Sequence, residues 1–506
     1  PAARMPRIPI LTIAAATAAL ALTAILSFTV VHAMWSGRAS VPPVTGAYIT
    51  GGVPRSDPAI EKLLADELPD LIVAVDNKRS GGSMAPTDAR MPIALITHPA
   101  IAAPWAEMVD ALFGWLGAPR HGRVYRDASR TLRAKVRAVS DRFAAEGLAY
   151  YLQGDVIGDG GRDHAAITAY KVEQVAFVVA DGEPRRVLGL RRLDKLNLHR
   201  TMLGMQADDL GDPVLLLDQI DHHVTTRLLP TLADNAGYPL GDEWQHSHAG
   251  RRLAMAAGAA IRREVRAAFG ADADAAAHVG ALLDERIRFT DLWRDDLARR
   301  QIWMTSTDGL FVPPGLLDRL PGYVPAADLD RIRSIDDELE HLGARRIAAR
   351  AHDLVAATVR RHEAQHGVDA DRSSPLRYPD ELSRRVATTD DGFVFRARAE
   401  LAAYLSQIAN DPTTPQLALW NLTRHAFHKD ATPESYAAVV VVEGLARHLG
   451  IAPRAPVVHD DHIDLAILAE LGEPIAAVSG PELRAAAVAL WSELYDQPVT
   501  VIVDRE

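Results

Sequence analysis

Cysteine is absent from this chain of 506 residues. Disulfides, thiolate metal sites and a cysteine nucleophile are therefore excluded, and the redox compartment stays open. Blocks of basic residues are missing as well: the formal net charge is −11, and pairs such as Arg191-Arg192 and Arg345-Arg346 read as ordinary element faces. A polyanion would meet net repulsion, so nucleic acid is not an expected partner. No internal repeat is evident, and Gly158-Asp159-Gly160-Gly161 lacks the spacing of a phosphate loop or an EF-hand, which leaves it as a connection between strands. With 48% hydrophobic and 24% charged residues, the chain can fill more than one core and is expected to form two or three domains.

Charge is also missing from Ile8 to Gly37. Its core, residues 10–31, is long enough at about 1.5 Å per residue to cross a hydrocarbon layer of about 30 Å. Arg4 and Arg7 precede it, so the positive-inside rule puts the N-terminus in the cytoplasm and exports the remainder. The run exceeds the usual signal-peptide core, which favours an uncleaved single-pass anchor, although Val31-His32-Ala33 offers small residues at cleavage positions. Either way the bulk is expected outside the cytoplasm, in a periplasmic or similar space, with the membrane as a partner through residues 1–35. Residues 36–58 read as a Pro/Gly-rich linker.

An α+β fold is expected beyond the linker. Residues 59–217 read as an accessory α+β domain, with short apolar strands at 71–75 and 93–96 and a helix at 131–146. Three strands rich in Tyr, Val, Ile and Leu follow at 148–157, 165–180 and 186–193, the last two joined by the hairpin composition Asp181-Gly182-Glu183-Pro184. Residues 218–506 read as mostly helical, with helices near 219–229, 249–269, 272–302, 328–366, 397–409, 434–449 and 481–495 and a closing strand at 500–503.

The segment His362-Glu363-Ala364-Gln365-His366 carries the chemistry. Residues four apart share a helix face, so both imidazoles can meet one ion while Glu363 stands beside them. A stripe of Ala351, Leu354, Val355, Thr358 and Val359 continues by steps of three and four onto the two histidines, pointing them inward, and Gly367 is a candidate cap. The competing reading is a pair of histidines buried between helices, with Glu363 in a local pair.

This pattern is that of the zincin metallopeptidases, and a catalytic zinc needs a third protein ligand. The long pattern with a further Gly and His fails, since Asp369 and Arg372 stand there. A second amphipathic helix near 395–408 instead offers Glu400 beside small alanines, an acid on a separate helix beyond the second His. Over residues 347–408 the chain thereby resembles the gluzincins. The resemblance implies Zn2+ held by His362, His366 and Glu400, with Glu363 as the catalytic acid–base group for a metal-activated water. Asp369 would orient an imidazole or remain a solvated loop acid. An oxyanion stabiliser is sought among His425, His428, Tyr404 and Tyr436, with His425 first. The implied function is a membrane-anchored zinc peptidase acting on a peptide or protein; the alternatives are a catalytically degenerate scaffold of the same fold and a helical interaction protein with an accidental motif. Other histidines, His222-His223, His246 with His248, and His459-Asp460-Asp461-His462, lack shared-face spacing and read as structural or loop residues. Nothing in the sequence sets an oligomeric state.

Overall fold

The structure, a computed structural model, describes residues 54–82, 92–159, 162–194, 202–206, 210–241, 247–299, 309–318, 320–385, 391–427, 432–459 and 462–505. It is α+β. The expected apolar segment at 10–31 and most of the linker lie outside the described residues; among those described, no helix is long and apolar enough to cross a membrane.

The first described part is helical where strands were expected. Residues 71–75 belong to helix α1, Leu68–Arg79, which opens with a proline in its first turn and buries Leu68, Leu71, Ile72 and Val75. That spacing is i, i+3, i+4, i+7, a helical stripe hidden inside a short apolar run. Residues 93–96 form a single tight turn over Ile93–Leu95 behind Pro92, with Ile93 and Ile96 exposed. Helices α2, Pro99–Gly117, and α3, Gly122–Ala145, complete a layer whose Trp105, Trp115 and Phe143 are fully buried.

The strands follow as read. β1 (Tyr150–Asp159), β2 (Arg162–Ala180) and β3 (Glu183–Arg192) form an antiparallel meander. The β2–β3 turn has positive φ at both Asp181 and Gly182, the conformation a tight hairpin needs. Two shorter strands, β4 (Gly204–Gln206) and β5 (Pro213–Leu216), extend the sheet in the order β1-β2-β3-β5-β4, so β4 is an edge. A sixth strand, β6 (Ile502–Asp504), pairs antiparallel with the end of β2. The sheet thus takes five strands from the expected accessory region and one from the far end of the expected catalytic region. Alternation divides its faces: Leu152, Ile167 and Ala169 pack with α1–α3, whereas Val178, Val187 and Leu215 join the large helical core.

That core is built by α4 (His248–Phe269), α5 (Ala273–Arg299), α6 (Ala326–His341), α7 (Ala344–Asp371), α8 (Asp391–Ala409), α9 (Pro415–Ala426), α10 (Pro433–His448), α11 (Leu465–Ala477) and α12 (Gly480–Tyr495). The single helix expected at 328–366 is two, broken at Gly343, whose left-handed φ of 66 starts α7 afresh. Gly367 does not cap α7, which runs on to Asp371. Its missing side chain serves packing: a Cβ there would lie 3.2 Å from Pro213 Cγ of β5, so the glycine lets the helix lie close on the sheet. α7 therefore crosses the sheet over β2, β3, β4, β5 and β6 and turns its other side to α8.

Candidate metal centre

Burial of Ala351, Val355, Ala356 and Val359 fixes the rotation of α7, and the same stripe carries His362 and His366 to the wall of a cleft of about 780 Å³. Their Nε2 atoms face each other at 3.1 Å. α8 lies alongside with Leu401, Leu405 and Ile408 fully buried, and this orientation sends Glu400 to the same point. Glu400 Oε2 is 3.4 Å from His362 Nε2, and Oε1 is 3.6 Å from His366 Nε2. Ligand atoms at tetrahedral zinc, with bonds of about 2.0–2.2 Å, stand about 3.3–3.6 Å apart. The two distances to the Glu400 oxygens fall on that edge, the two imidazoles stand slightly closer, and no ammonium or guanidinium belongs to the trio, so these residues could hold a metal ion. It is the only grouping of its kind among the described residues.

The tautomer fits as well. His362 Nδ1 lies 3.1 Å from Gln407 Oε1; an amide oxygen accepts only, so Nδ1 carries a proton and Nε2 is the nitrogen left facing Glu400 and His366, free to bind an ion once its own proton is displaced. Gln407 therefore does the orienting expected of Asp369. Asp369 instead accepts from Gln365 Nε2 at 2.8 Å and Arg372 Nε at 2.7 Å. Gln407 follows Glu400 by seven residues and Tyr404 by three on one face of α8, a spacing that could have revealed it. Tyr404 places its ring 5.1 Å from the His362 ring, centroid to centroid, and hydrogen-bonds Glu400.

Proton affinities diverge inside this small volume. Burial pushes Glu363 up to about 8, with the Glu400 charge adding and His362 opposing. Glu400 goes the other way: burial would raise it, but the His362 hydrogen bond and the charges of His366, His362 and His425 hold it at about 2. Burial lowers His366 to about 4, against a smaller raising pull from Glu400. For His362 burial is outweighed by the bond and charge of Glu400, which leave it above its ordinary value. A carboxyl raised toward neutrality can both take up and release a proton, which is what acid–base work asks of Glu363, while Glu400 stays charged as a ligand must.

Compared with known proteins, the chain matches no family model, no curated protein and no solved structure. The reading of the site accordingly rests on its own geometry.

Glu363 sits at the junction of helix and sheet. A Cβ built on Gly204, in the edge strand β4, would lie 2.4 Å from Glu363 Oε1 and 2.6 Å from its Cγ. The carboxylate thus occupies the space a side chain would take. Gly204 had no sequence signal, because the closeness arises from α7 crossing the sheet. Gly204→Ala is expected to fold and bind metal as the parent does but to lose about tenfold or more in kcat, because Glu363 must swing aside. Equal kcat in the variant would show that the carboxylate does not work from this position.

His425 lies on the cleft wall at the end of α9, near enough for its charge to lower Glu400. Tyr436 is elsewhere, buried in the core with its ring 6.0 Å from that of Phe393. His428, His246, Asp460 and Asp461 lie outside the described residues. His223 is a buried packing residue whose Nε2 lies 3.4 Å from the Tyr238 hydroxyl, and burial, with Arg424 and Arg227 nearby, pushes its pKa well down.

Proposed function

We propose that this chain is a zinc-dependent peptidase of gluzincin type. The observation that carries the reading is the convergence of His362, His366 and Glu400, whose ligand atoms lie within 4.8 Å of one another, beside Glu363 at the wall of a deep cleft. His362, His366 and Glu400 would hold the ion. Zinc bound there would supply a lowered pKa for water and polarisation of a carbonyl.

The remaining work falls to the chain's own groups. Glu363 takes a proton from the attacking water and returns it to the leaving amine, one carboxylate serving both directions of transfer. Tyr404 and His425 flank Glu400 and are the donors placed to steady charge on the carbonyl oxygen. β4 lines the same cleft through Gly204 and Met205 and is the last strand of its sheet. An extended peptide can pair with such an edge, which brings its backbone past Glu363 and favours peptides over compact substrates. The uncharged N-terminal stretch supports a membrane-anchored enzyme acting outside the cytoplasm.

Elemental analysis of purified protein together with digestion of a mixed peptide library tests the reading. One zinc per chain and chelator-sensitive cleavage are expected. Metal-free protein that cannot be loaded, or loaded protein that cleaves no peptide, overturns it.

A further inference from the structure

The turn Ile93–Leu95, which directly precedes α2, shows two isoleucines to the outside. Ile93 is 85% exposed and Ile96 68%, while Leu95 between them is fully buried in the core that α1–α3 share. Large aliphatic side chains gain from leaving water, so two of them held outward on one turn mark a surface that meets something apolar. The turn is fixed. Leu95 N donates to the Pro92 carbonyl at 3.0 Å, Ile96 N to the Ile93 carbonyl at 3.1 Å and His98 N to the Leu95 carbonyl at 3.0 Å. Its surroundings in the chain are uncharged: no Asp, Glu, Lys or Arg stands from Pro92 to Ala106, and the exposed residues of that stretch are Ile93, Ile96, Thr97, Pro99 and Ala103.

The described chain begins beside this turn. His98 Nε2 lies 3.0 Å from Asp57 Oδ2, and the short helix Pro58–Lys62, which Asp57 caps, contacts the turn itself. Before Pro54 come residues 38–53, which cannot reach beyond about 55 Å even fully drawn out, and before those the uncharged stretch Ile8–Gly37. A bilayer that takes up that stretch therefore keeps the turn within reach of its surface. Two isoleucines hold a bilayer too weakly to recruit a free protein, but a tethered one meets the surface at high effective concentration, where a weak contact sets its orientation. A second copy of the chain seated on the turn would leave the nearness of turn and tether without a reason.

We propose that the turn at Ile93 and Ile96 is a membrane contact, seated in the interfacial layer of the bilayer that holds the N-terminal stretch, and that it fixes how the protein stands on that surface. The proposal rests on the anchored reading of Ile8–Gly37 and goes beyond the peptidase reading, which it neither uses nor alters.

The chain has no cysteine, so Thr97→Cys carries a single fluorophore beside both isoleucines and leaves them in place. Full-length protein is reconstituted in vesicles of phosphatidylcholine and phosphatidylglycerol, with or without a quencher fixed to the lipid acyl chains just below the headgroups. Leu292→Cys, on α5 and 76% exposed, is the control. The label at 97 is expected to lose about half or more of its emission to the lipid-borne quencher, against less than about a tenth for the label at 292. Adding Ile93→Ser and Ile96→Ser, both at exposed positions, should bring the label at 97 to the control level. Equal quenching of the two labels, or quenching at 97 that survives both serines, overturns the contact. So does a label at 97 that is shielded from water yet untouched by the quencher, the result that a second copy or the chain's own N-terminal stretch would give. Protein that washes off the vesicles at alkaline pH overturns the anchor and the contact together. Protein that stays with an unquenched label leaves the anchor standing and removes the contact alone.

Discussion

Glu363→Gln is expected to leave one zinc per chain in place and to lower peptide hydrolysis about 100-fold or more. The substitution keeps the shape of a side chain that is only 5% exposed and packs against Gly204, so the fold and the three ligands should persist. What disappears is the ability to accept the water's proton and pass it to the leaving nitrogen. Steady-state kinetics and metal analysis on the same preparation give the result. If correctly zinc-loaded protein hydrolyses no peptide library and every measurable property of the variant equals that of the parent, catalysis by Glu363 is falsified and the metal becomes a structural element of a scaffold.

His362→Ala should have the larger effect on the metal itself. Two ligands hold zinc poorly, and the lost imidazole is also the one fixed by Gln407 at 3.1 Å. Zinc affinity should fall by well over about 100-fold, and activity should vanish with it and return only at high zinc concentration. Competition with a chelator of known affinity reads the change. Unaltered zinc content in the variant would mean that the ion is held elsewhere. Gln407→Ala should act through the same ring more mildly, within about 10–100-fold in affinity.

The trio was legible because metal chemistry and helix geometry impose spacings that survive in one dimension. The stripe through Val355 and Val359 set the face of both histidines, and small neighbours marked Glu400 as able to reach inward. Short apolar runs were less informative. Residues 71–75 carry the same residue types as a buried strand, and only the more distant Leu68 and Ile72 spacing separates helix from strand. α2 was hidden by its near-uniform apolarity and by Pro104 within it, and α9, which brings His425 and Arg424 to the cleft, was not recognised as a helix. Gly204 could not be read at all. Its role depends on how closely α7 approaches the sheet, and this follows from tertiary packing alone.

The last strand has a bearing on when the site exists. Asp504 binds both Arg360, at 2.8 Å, and Arg361, the two residues immediately before His362. Arg361 is 6% exposed, and its other carboxylate is the buried Asp411 at 3.2 Å, which also accepts from Thr358. A buried guanidinium with half of its counter-charge missing strains the helix that carries it. During synthesis that charge arrives only after residue 504 has left the ribosome, more than 130 residues behind the histidines. The nascent chain therefore carries His362, Glu363 and His366 for more than 130 residues without the clamp that steadies their helix, and the site is braced only once residue 504 has paired.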